Sequence, residues 1–515
     1  MSTETGVNIG IDAAINNAVG HFADIVESVV FFPVRYCDAG SVSFGYPEGF
    51  CADGVEIVAP LILIWLVLAS IYFTVYLGFV NVRFFKHSID LLRGKYDKKD
   101  TDGGQINRFQ ALATSLSGTV GLGNIAGVAI AVSVGGPGAV LWMIIMGFFG
   151  MSLKFAEVTF GVKYRHHPDK NDLSRVFGGP MYYLRDGFSN RDIPYIGSAL
   201  AALFAFCCIL GSIGGGNLFQ ANQAYQQILN VTGGEQSILA NYAWLFGVGL
   251  AILVGAVIIG GIQSIAKFTS KIVPIMGGLY VGGGLIVIGL NYDQIASGLY
   301  DIVTMAFSFE AGLGGFLGVM LQGVKRASFS NEAGLGSAAI VHATAKTDQP
   351  VSQGFVGMLG PFIDTMVICT ITGLVIVFTG AYKDGVGMEG VELTSKAFGA
   401  GVSWFPYLLA VTVFLFAFST LITWSYYGQK AAAFLFGENK YVEMAYKIIF
   451  LLVIIVGCTM ELGKVVALSE AFLFVMGIPN IIGLYFLSRE LKRDVKTYKK
   501  HIDGVDADNA SQAAE

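Results

Sequence analysis

Two polar, glycine-rich stretches inside apolar segments hold the residues best suited to bind a ligand. The first reads SGTVGLGNIAG and covers residues 117–127. Its polar side chains are those of Ser117, Thr119 and Asn124. Glycine costs roughly 1 kcal/mol against alanine inside a helix, so this composition favours local unwinding. Freed carbonyls with hydroxyl and amide oxygens suit a small cation, and freed N–H groups at Leu122 and Gly123 suit a carboxylate. The stretch therefore predicts a site for a zwitterion that moves with Na⁺.

The second stretch, RASFSNEAGLGS (residues 326–337), repeats the Gly-Leu-Gly of the first inside another apolar segment. Five predicted spans separate the two starts, so the second copy enters the membrane from the opposite side. Broken segments at matching positions of inverted halves point to the binding site of a secondary transporter. Gly123 and Gly127 also form a GxxxG, which allows close helix packing as an alternative. A dinucleotide loop is excluded because the glycine spacing is wrong and no parallel sheet is expected.

Charged residues near the second stretch are expected to serve gating or structure more than ligand contact. Lys325 and Arg326 precede the break, and we expect them to pair with Glu332 or Asp364. Asp364 is alternatively a ligand for a coupling ion.

Two further groups bear on the coupling ion and on structure. Lys154 and Glu157 stand three residues apart and predict a structural ion pair. The six histidines fall in loops, tails or near a span end, which favours sodium over protons.

Two other spans place polar side chains among apolar neighbours. In AFSTLITWSYYG (residues 417–428), Ser419 and Thr420 could complete a cation site, and Trp424 lies on the same helix face as Thr420. The alternative is a hydroxyl pair bonded to its own helix beside a packing tryptophan. A separate set of amides predicts a polar cavity and comprises Asn217, Gln220 and Asn222.

The elements that must position these residues are membrane-spanning helices. Of 515 residues, 54% are hydrophobic and only 13% are charged, which is typical of an integral membrane protein. We predict about eleven spans, near residues 57–82, 110–134, 137–162, 195–230, 237–261, 271–291, 311–344, 354–380, 402–436, 441–461 and 464–487. A weaker, amphipathic helix is predicted at 10–32.

Basic residues alternate between the predicted loops and set the orientation. Lys and Arg cluster after the first span and in the tail after the last. The N-terminus is therefore expected outside and the C-terminus in the cytoplasm of a prokaryotic cell. Cys37 and Cys51 would then face an oxidising compartment, where a disulfide is allowed.

The motifs together resemble the alanine or glycine:cation symporter family from about residue 55 to the tail. The segments that carry the likeness are FQALATSLSGTVGLGNIAG (109–127), GGPGAVLWM (135–143), GGPMYYL (178–184), GVKRASFSNEAGLGSA (323–338), KTDQPVSQG (346–354) and WSYYG (424–428). GTVGLGN (118–124) also looks like the unwound first core helix of sodium-coupled neurotransmitter transporters.

This resemblance implies an all-α membrane protein with a LeuT-like fold of two inverted five-helix repeats plus one added helix. The corresponding parts are an N-terminal extension (1–55), an added helix (56–82), a first repeat (110–291), a second repeat (311–487) and a cytoplasmic tail (488–515).

The resemblance also implies site residues. The substrate pocket would comprise Gly121, Leu122, Gly123, Gln220, Phe329, Thr420 and Trp424. One sodium ion would bind the carbonyls of Ser117, Val120 and Phe416 with the hydroxyls of Ser419 and Thr420. Thr119 and Asn124 would match a second sodium position.

We therefore predict a non-enzymatic secondary transporter, multi-pass in the plasma membrane and surrounded by lipid. It would couple Na⁺ to import of alanine, glycine or a similar small neutral amino acid by alternating access. Alternatives are proton coupling, another neutral substrate such as glutamine, or a cation channel. Many family members have Thr where this chain has Leu122, which bears on substrate identity. No nucleic-acid partner is expected, and the residues indicate no oligomeric state.

Overall fold

The chain folds almost entirely into helices. The computed structural model describes residues 25–37, 42–45, 56–96, 104–167, 176–308, 312–384, 388 and 390–514. Of the predicted amphipathic helix, residues 25–30 are helical, and the part before residue 25 lies outside the described residues.

A small antiparallel sheet precedes the first long helix, and the sequence analysis did not predict it. Its strands are β1 (Pro33–Cys37), β2 (Val42–Phe44) and β3 (Glu56–Pro60), in the order β2-β1-β3. Val34 pairs with Phe44 on one side and with Ala59 on the other. Cys37 is disulfide-bonded, while its suggested partner Cys51 lies outside the described residues.

The helices of the first half begin directly after β3. They are α1 (Leu61–Tyr76), α2 (Val80–Arg83), α3 (Phe85–Leu92), α4 (Arg108–Thr119), α5 (Ala126–Gly135), α6 (Gly138–Lys163), α7 (Pro180–Ser189), α8 (Pro194–Ile213), α9 (Phe219–Val231), α10 (Ala243–Ile258), α11 (Gly261–Leu290) and α12 (Ile295–Ala306). A 3₁₀ turn (Leu122–Asn124) separates α4 from α5, and a π-helical turn (Gly214–Leu218) joins α8 to α9. Further 3₁₀ turns are Gly234–Gln236, Ile238–Asn241 and Tyr292–Gln294.

The second half follows the same pattern of long, interrupted helices. They are α13 (Gly312–Asn331), α14 (Ser337–His342), α15 (Pro350–Gly357), α16 (Leu359–Pro361), α17 (Thr370–Phe378), α18 (Ala381–Asp384), α19 (Val391–Gly401), α20 (Phe405–Phe436), α21 (Lys440–Thr459), α22 (Leu462–Phe474) and α23 (Gly477–Ala514). A π-helical segment (Phe362–Cys369) joins α16 to α17.

Length and composition identify fewer spans than the eleven predicted. Within the described residues, seven helical stretches are long and apolar enough to cross a membrane, or eight when the bent α4–α5 pair counts as one span. α1 and α10 are shorter apolar helices. The α13–α14 segment, which contains Lys325 and Arg326, is not among these spans.

Both predicted breaks are present. The axes of α4 and the following helical segment differ by 59°. At the second break, Glu332, Gly334 and Gly336 have φ of 55°, 92° and 81°. A side chain at Gly334 would also meet Leu66 at 2.6 Å, so the turn requires glycine for both conformation and space. The glycine-rich composition therefore unwinds both helices, as predicted.

The two breaks lie against each other, and both are buried. A Cβ at Gly123 would stand 3.3 Å from the Cα of Ser330. α20 packs against α4, α8 and α9, and α13 packs against α5 and α6. The interrupted helices are thus enclosed by continuous ones, which supply partners for the unwound backbone.

The long C-terminal helix α23 is tied to the ends of other helices by charged groups. Glu490 contacts Lys163 at 2.6 Å and Arg191 at 2.6 Å, and it accepts a hydrogen bond from Tyr164 at 2.9 Å. Burial raises the pKa of Glu490, but the hydrogen bonds from Lys163 and Arg191 outweigh it and hold that pKa below its ordinary value.

Candidate ion and substrate site

A cluster of oxygen atoms joins α4 to the middle of α20. The Thr420 hydroxyl lies 3.0 Å from the Ser117 carbonyl and 2.9 Å from the Phe416 carbonyl. The Ser419 hydroxyl donates to the same Phe416 carbonyl at 3.0 Å. Four of the five residues of the predicted sodium site are therefore adjacent. The fifth, Val120, directly follows α4 and begins the unwound segment.

The chemistry of this cluster suits a hard cation. Ser117, Ser419 and Thr420 are at most 1% exposed, so the oxygens are shielded from solvent. The Ser117 hydroxyl donates to the Ser419 carbonyl at 2.7 Å, which fastens α4 to α20 beside the cluster. Carbonyl and hydroxyl oxygens at the end of a broken helix are the usual ligands for Na⁺ in transporters.

Gln220 holds the backbone of the first break. Its side-chain oxygen accepts from the Leu122 N–H at 3.0 Å, and its amide nitrogen donates to the Gly215 carbonyl in the π-helical turn at 2.9 Å. The Leu122 N–H, which the sequence suggested for a substrate carboxylate, therefore has a protein partner. A Cβ at Gly121 would lie 2.5 Å from the Thr420 hydroxyl, so only glycine fits there.

Asn124 has a structural role that the sequence did not reveal. Its side-chain oxygen accepts from the Gly121 N–H at 2.9 Å, and its amide donates to the Asp364 carboxylate at 2.6 Å. Its own carbonyl accepts from Thr372 at 2.8 Å. Thr119, its proposed partner at a second ion position, donates to its own helix at the Ser115 carbonyl (3.3 Å).

Asp364 is the carboxylate nearest to this part of the site. It is fully buried, and it accepts from Ser330 at 2.9 Å and from Thr365 at 2.7 Å as well as from Asn124. Ser330 belongs to α13, so this one side chain connects both breaks to the π-helical segment. In the sequence, Asp364 was noticeable only as a single acidic residue within an apolar run.

Trp424 also connects the two breaks. Its indole N–H lies 3.2 Å from the Gly118 carbonyl in α4 and 3.2 Å from the Glu332 carboxylate. Phe329 stands on α13, one turn before the second break, and packs edge-on against Phe219 at 5.3 Å. Trp424 and Phe329, the two aromatic residues of the predicted substrate pocket, are therefore both buried close to the breaks.

The expected partners of Lys325 and Arg326 were wrong. Both contact the carboxylate of Glu470 on α22, while Glu332 instead accepts from Trp424 and Ser337. Glu470 lies in the apolar run of α22 and was missed, because only the packing of α22 against α13 brings it near.

The predicted pair of Lys154 and Glu157 is confirmed, at 3.8 Å, and it serves the second break. Lys154 donates to the Glu332 carbonyl at 3.0 Å, and Glu157 accepts from the Gly336 N–H at 2.9 Å. Asn480 donates to the same Glu157 carboxylate at 2.7 Å. Charged groups thus satisfy the unwound backbone at this break.

The three amides of the fourth predicted span do not act together. Asn217 donates to the Phe450 carbonyl at 2.8 Å, and Asn222 donates to the Met460 carbonyl at 2.7 Å. These two fasten α9 and its π-helical turn to α21, and Gln220 alone faces the first break.

Comparisons with known proteins identify the family of the chain. A model described as the sodium:alanine symporter family matches residues 52–512. The chain is similar to the sodium/alanine symporter AgcS of Methanococcus maripaludis, with 39% identity over 444 residues, covering 86% of this chain and 94% of that protein. It is also similar to the probable sodium/glutamine symporter GlnT of Bacillus subtilis, with 35% identity, covering 85% of this chain and 88% of that protein.

Two further likenesses concern coupling and fold. The putative sodium/proton-dependent alanine carrier protein YrbD of Bacillus subtilis is 32% identical over 83% of this chain and 87% of its own length. The structure of MhsT in complex with L-phenylalanine superposes with a TM-score of 0.53 at 14% identity, covering 73% of this chain and 88% of that one. The structural likeness supports the predicted LeuT-like helical fold.

Proposed function

The chain belongs to the sodium:alanine symporter family, and on that premise we propose that it imports a small neutral amino acid together with Na⁺. It is a multi-pass membrane transporter, and alternating access is the mechanism we assign to it. The two broken helices would open in turn toward either side of the membrane.

The observation that carries this proposal is the oxygen cluster around Thr420. One hydroxyl lies within hydrogen-bonding distance of carbonyls from α4 and α20, two elements far apart in sequence. A cation there would replace these internal hydrogen bonds and draw the two helices together. Ion binding would thereby favour the arrangement of the first break that holds the amino acid, which is how coupling would arise.

Contacts at the glycines support a small substrate. A side chain at Gly121 would overlap Thr420, and one at Gly216 would overlap Trp424. A hydroxyl group and an aromatic ring therefore approach the backbone closely at these positions. Such spacing favours alanine or glycine over larger amino acids. Leu122 is fully buried and replaces a common family threonine with an apolar side chain. Glutamine, named for one relative, is the alternative substrate.

We assign a second coupling ion to the region of Thr119 and Asn124, with Asp364 as the alternative ligand. The Asp364 carboxylate accepts only from neutral donors in the contacts described above. A cation or a proton would therefore offset its buried charge. Proton coupling is the competing hypothesis, and one relative is named as sodium/proton-dependent.

We further propose eleven spans in two inverted repeats of five, at 110–291 and 311–487, plus the added helix at 56–82. The N-terminal extension (1–55) would lie outside the cell and the tail (488–515) in the cytoplasm. The basic residues that follow α1 and those between Arg489 and Lys500 in the middle of α23 support this orientation.

Reconstitution into proteoliposomes tests the function. An inward sodium gradient should drive accumulation of labelled alanine above its external concentration, and choline in place of Na⁺ at fixed pH should abolish it. Undiminished uptake in choline would refute sodium coupling. A sodium conductance that needs no amino acid would favour the channel, and a competition panel of neutral amino acids would separate alanine from glutamine.

A further inference from the structure

A buried ion cluster joins the second broken helix to α22. The ammonium of Lys325 and the guanidinium of Arg326 both contact the Glu470 carboxylate. The side chains of Arg326 and Glu470 are only 5% and 2% exposed. Separating these charges breaks charge-assisted contacts that the closed protein shields from solvent, so opening the cluster costs free energy. We name the three residues the outer latch.

The outer latch closes one approach to the site. Lys325 and Arg326 lie on α13 before the break at Glu332, which is the outer side in the proposed orientation. The aliphatic part of Arg326 also covers α5, because a Cβ at Gly127 would stand 4.0 Å from the Arg326 Cδ. A path from this side to the first break therefore requires α13, α22 and α5 to move apart.

The segment before α1 contacts α13 and α22, the two helices that carry the residues of the outer latch. The Phe31 ring packs edge-on against Phe474 of α22 at 5.7 Å, and the Lys325 ammonium lies 4.7 Å from the centre of the same ring. Phe31 is only 8% exposed. The N–H of Leu61 donates to the Phe32 carbonyl at 3.0 Å, which anchors the segment to α1.

Phe31 lies outside the part of the chain that is shared with the family. The family model begins at residue 52, so residues 25–37 are an addition to the common fold. Strand β3, which pairs with β1 of this addition, also packs against α13. The added segment is therefore joined to the transport helices at two points.

We propose that residues 25–37 brace the outer latch, so that Phe31 must leave Lys325 and Phe474 before α13 and α22 separate. A ring that contacts a cation on one helix and a phenylalanine on the other stabilises their closed arrangement. With this brace, the population of the outward-open state would be lower than with the outer latch alone. This inference rests on the proposed alternating access and orientation, but it does not depend on the identity of the solute or ion.

A cysteine beneath the outer latch reports its opening. In Gly127→Cys, the new thiol would lie against Arg326, and a membrane-impermeant thiol reagent would reach it only when the latch is open. The rate of modification is measured in sealed vesicles and normalised to labelling after denaturation, with the unsubstituted chain as background. The four described free cysteines are all buried, which keeps that background low.

Substitutions of Phe31 in this background test the brace. Phe31→Leu keeps an apolar side chain but removes the ring face, and it should speed modification about threefold to tenfold. Phe31→Trp keeps the ring face and should stay near the reporter's own rate. Phe32→Leu is the matched control, because the Phe32 ring is 39% exposed and packs toward Gly45, which directly follows β2.

Glu470→Gln in the same background should also speed modification, because it releases both cations of the outer latch. An unchanged rate in Phe31→Leu, with a faster one in Glu470→Gln, would overturn the brace. An unchanged rate in Glu470→Gln would overturn the latch and the brace with it. Since labelling requires neither sodium nor amino acid, either failure is distinguishable from a failure of sodium-coupled uptake.

Discussion

Single hydroxyl groups hold the two halves of the candidate site together. Thr420 reaches carbonyls of α4 and α20, Ser419 reaches the second of them, and Ser117 reaches back to the backbone of α20. Serine and threonine in a helix often bond only to their own backbone. Here Thr420 does so and also contacts a second helix, which is why we include it in the candidate site.

The hydroxyl of Ser419 should matter for sodium affinity. We expect Ser419→Ala to raise the sodium concentration for half-maximal uptake about tenfold, since one oxygen ligand is worth on the order of 1.4 kcal/mol. Sodium-dependent alanine uptake in proteoliposomes measures this. Ser425→Ala is the control, because Ser425 is buried on the same helix and donates to the Ile422 carbonyl with the same three-residue spacing. An equal effect in both variants would contradict the sodium role.

Helix interruption at the second break depends on backbone geometry and on its neighbours together. Gly334 has a φ of 92°, while Lys154, Glu157 and Asn480 bond the unwound peptide groups. The glycines of this break were visible in the sequence. The three partners come from α6 and α23, and no local pattern connects them to the break.

Replacing Gly334 with alanine should destabilise the fold. The new Cβ would meet Leu66 at 2.6 Å and Leu153 at 2.9 Å in a left-handed backbone conformation. We expect a loss of roughly 2 kcal/mol or more, seen as a lower midpoint of thermal unfolding in detergent. Gly318→Ala is the matched control, because it lies within α13 with open space around it and should leave the midpoint unchanged or higher. Similar midpoints for both variants would contradict the assigned geometry.

At the scale of the whole molecule, charged contacts of α23 join it to the end of α6 and to the residues beyond α7. Glu490 and Asp494 on α23 contact Lys163 at the end of α6, and Glu490 also contacts Arg191 beyond α7. These groups are hundreds of residues apart in sequence, so their contacts fix the relative positions of the N-terminal and C-terminal helices.

Acid should weaken the contacts that Glu490 makes with Lys163 and Arg191. The pKa of Glu490 is lower in the folded protein than its ordinary value, so its contribution to stability is present at neutral pH and is lost as pH falls through the folded pKa. We expect the thermal midpoint in detergent to fall progressively as the pH is lowered from about 5 through the folded pKa of Glu490. Glu490→Gln should be less stable at neutral pH and less sensitive to acid over this range. Glu461→Gln, in a more exposed pair with Lys464, should change little.

The sequence determined the membrane location and the two breaks, because these follow from local composition: apolar runs and clustered glycines act over a few residues. The sodium-binding role of Ser117, Ser419 and Thr420 came from the family resemblance and stays a prediction. Tertiary structure alone decided that Glu470 pairs with Lys325, that Asn124 bonds Asp364, and that Phe31 contacts Lys325 and Phe474. A buried charge or amide selects its partner by proximity between packed helices, and neighbouring residues along the chain carry no record of that proximity.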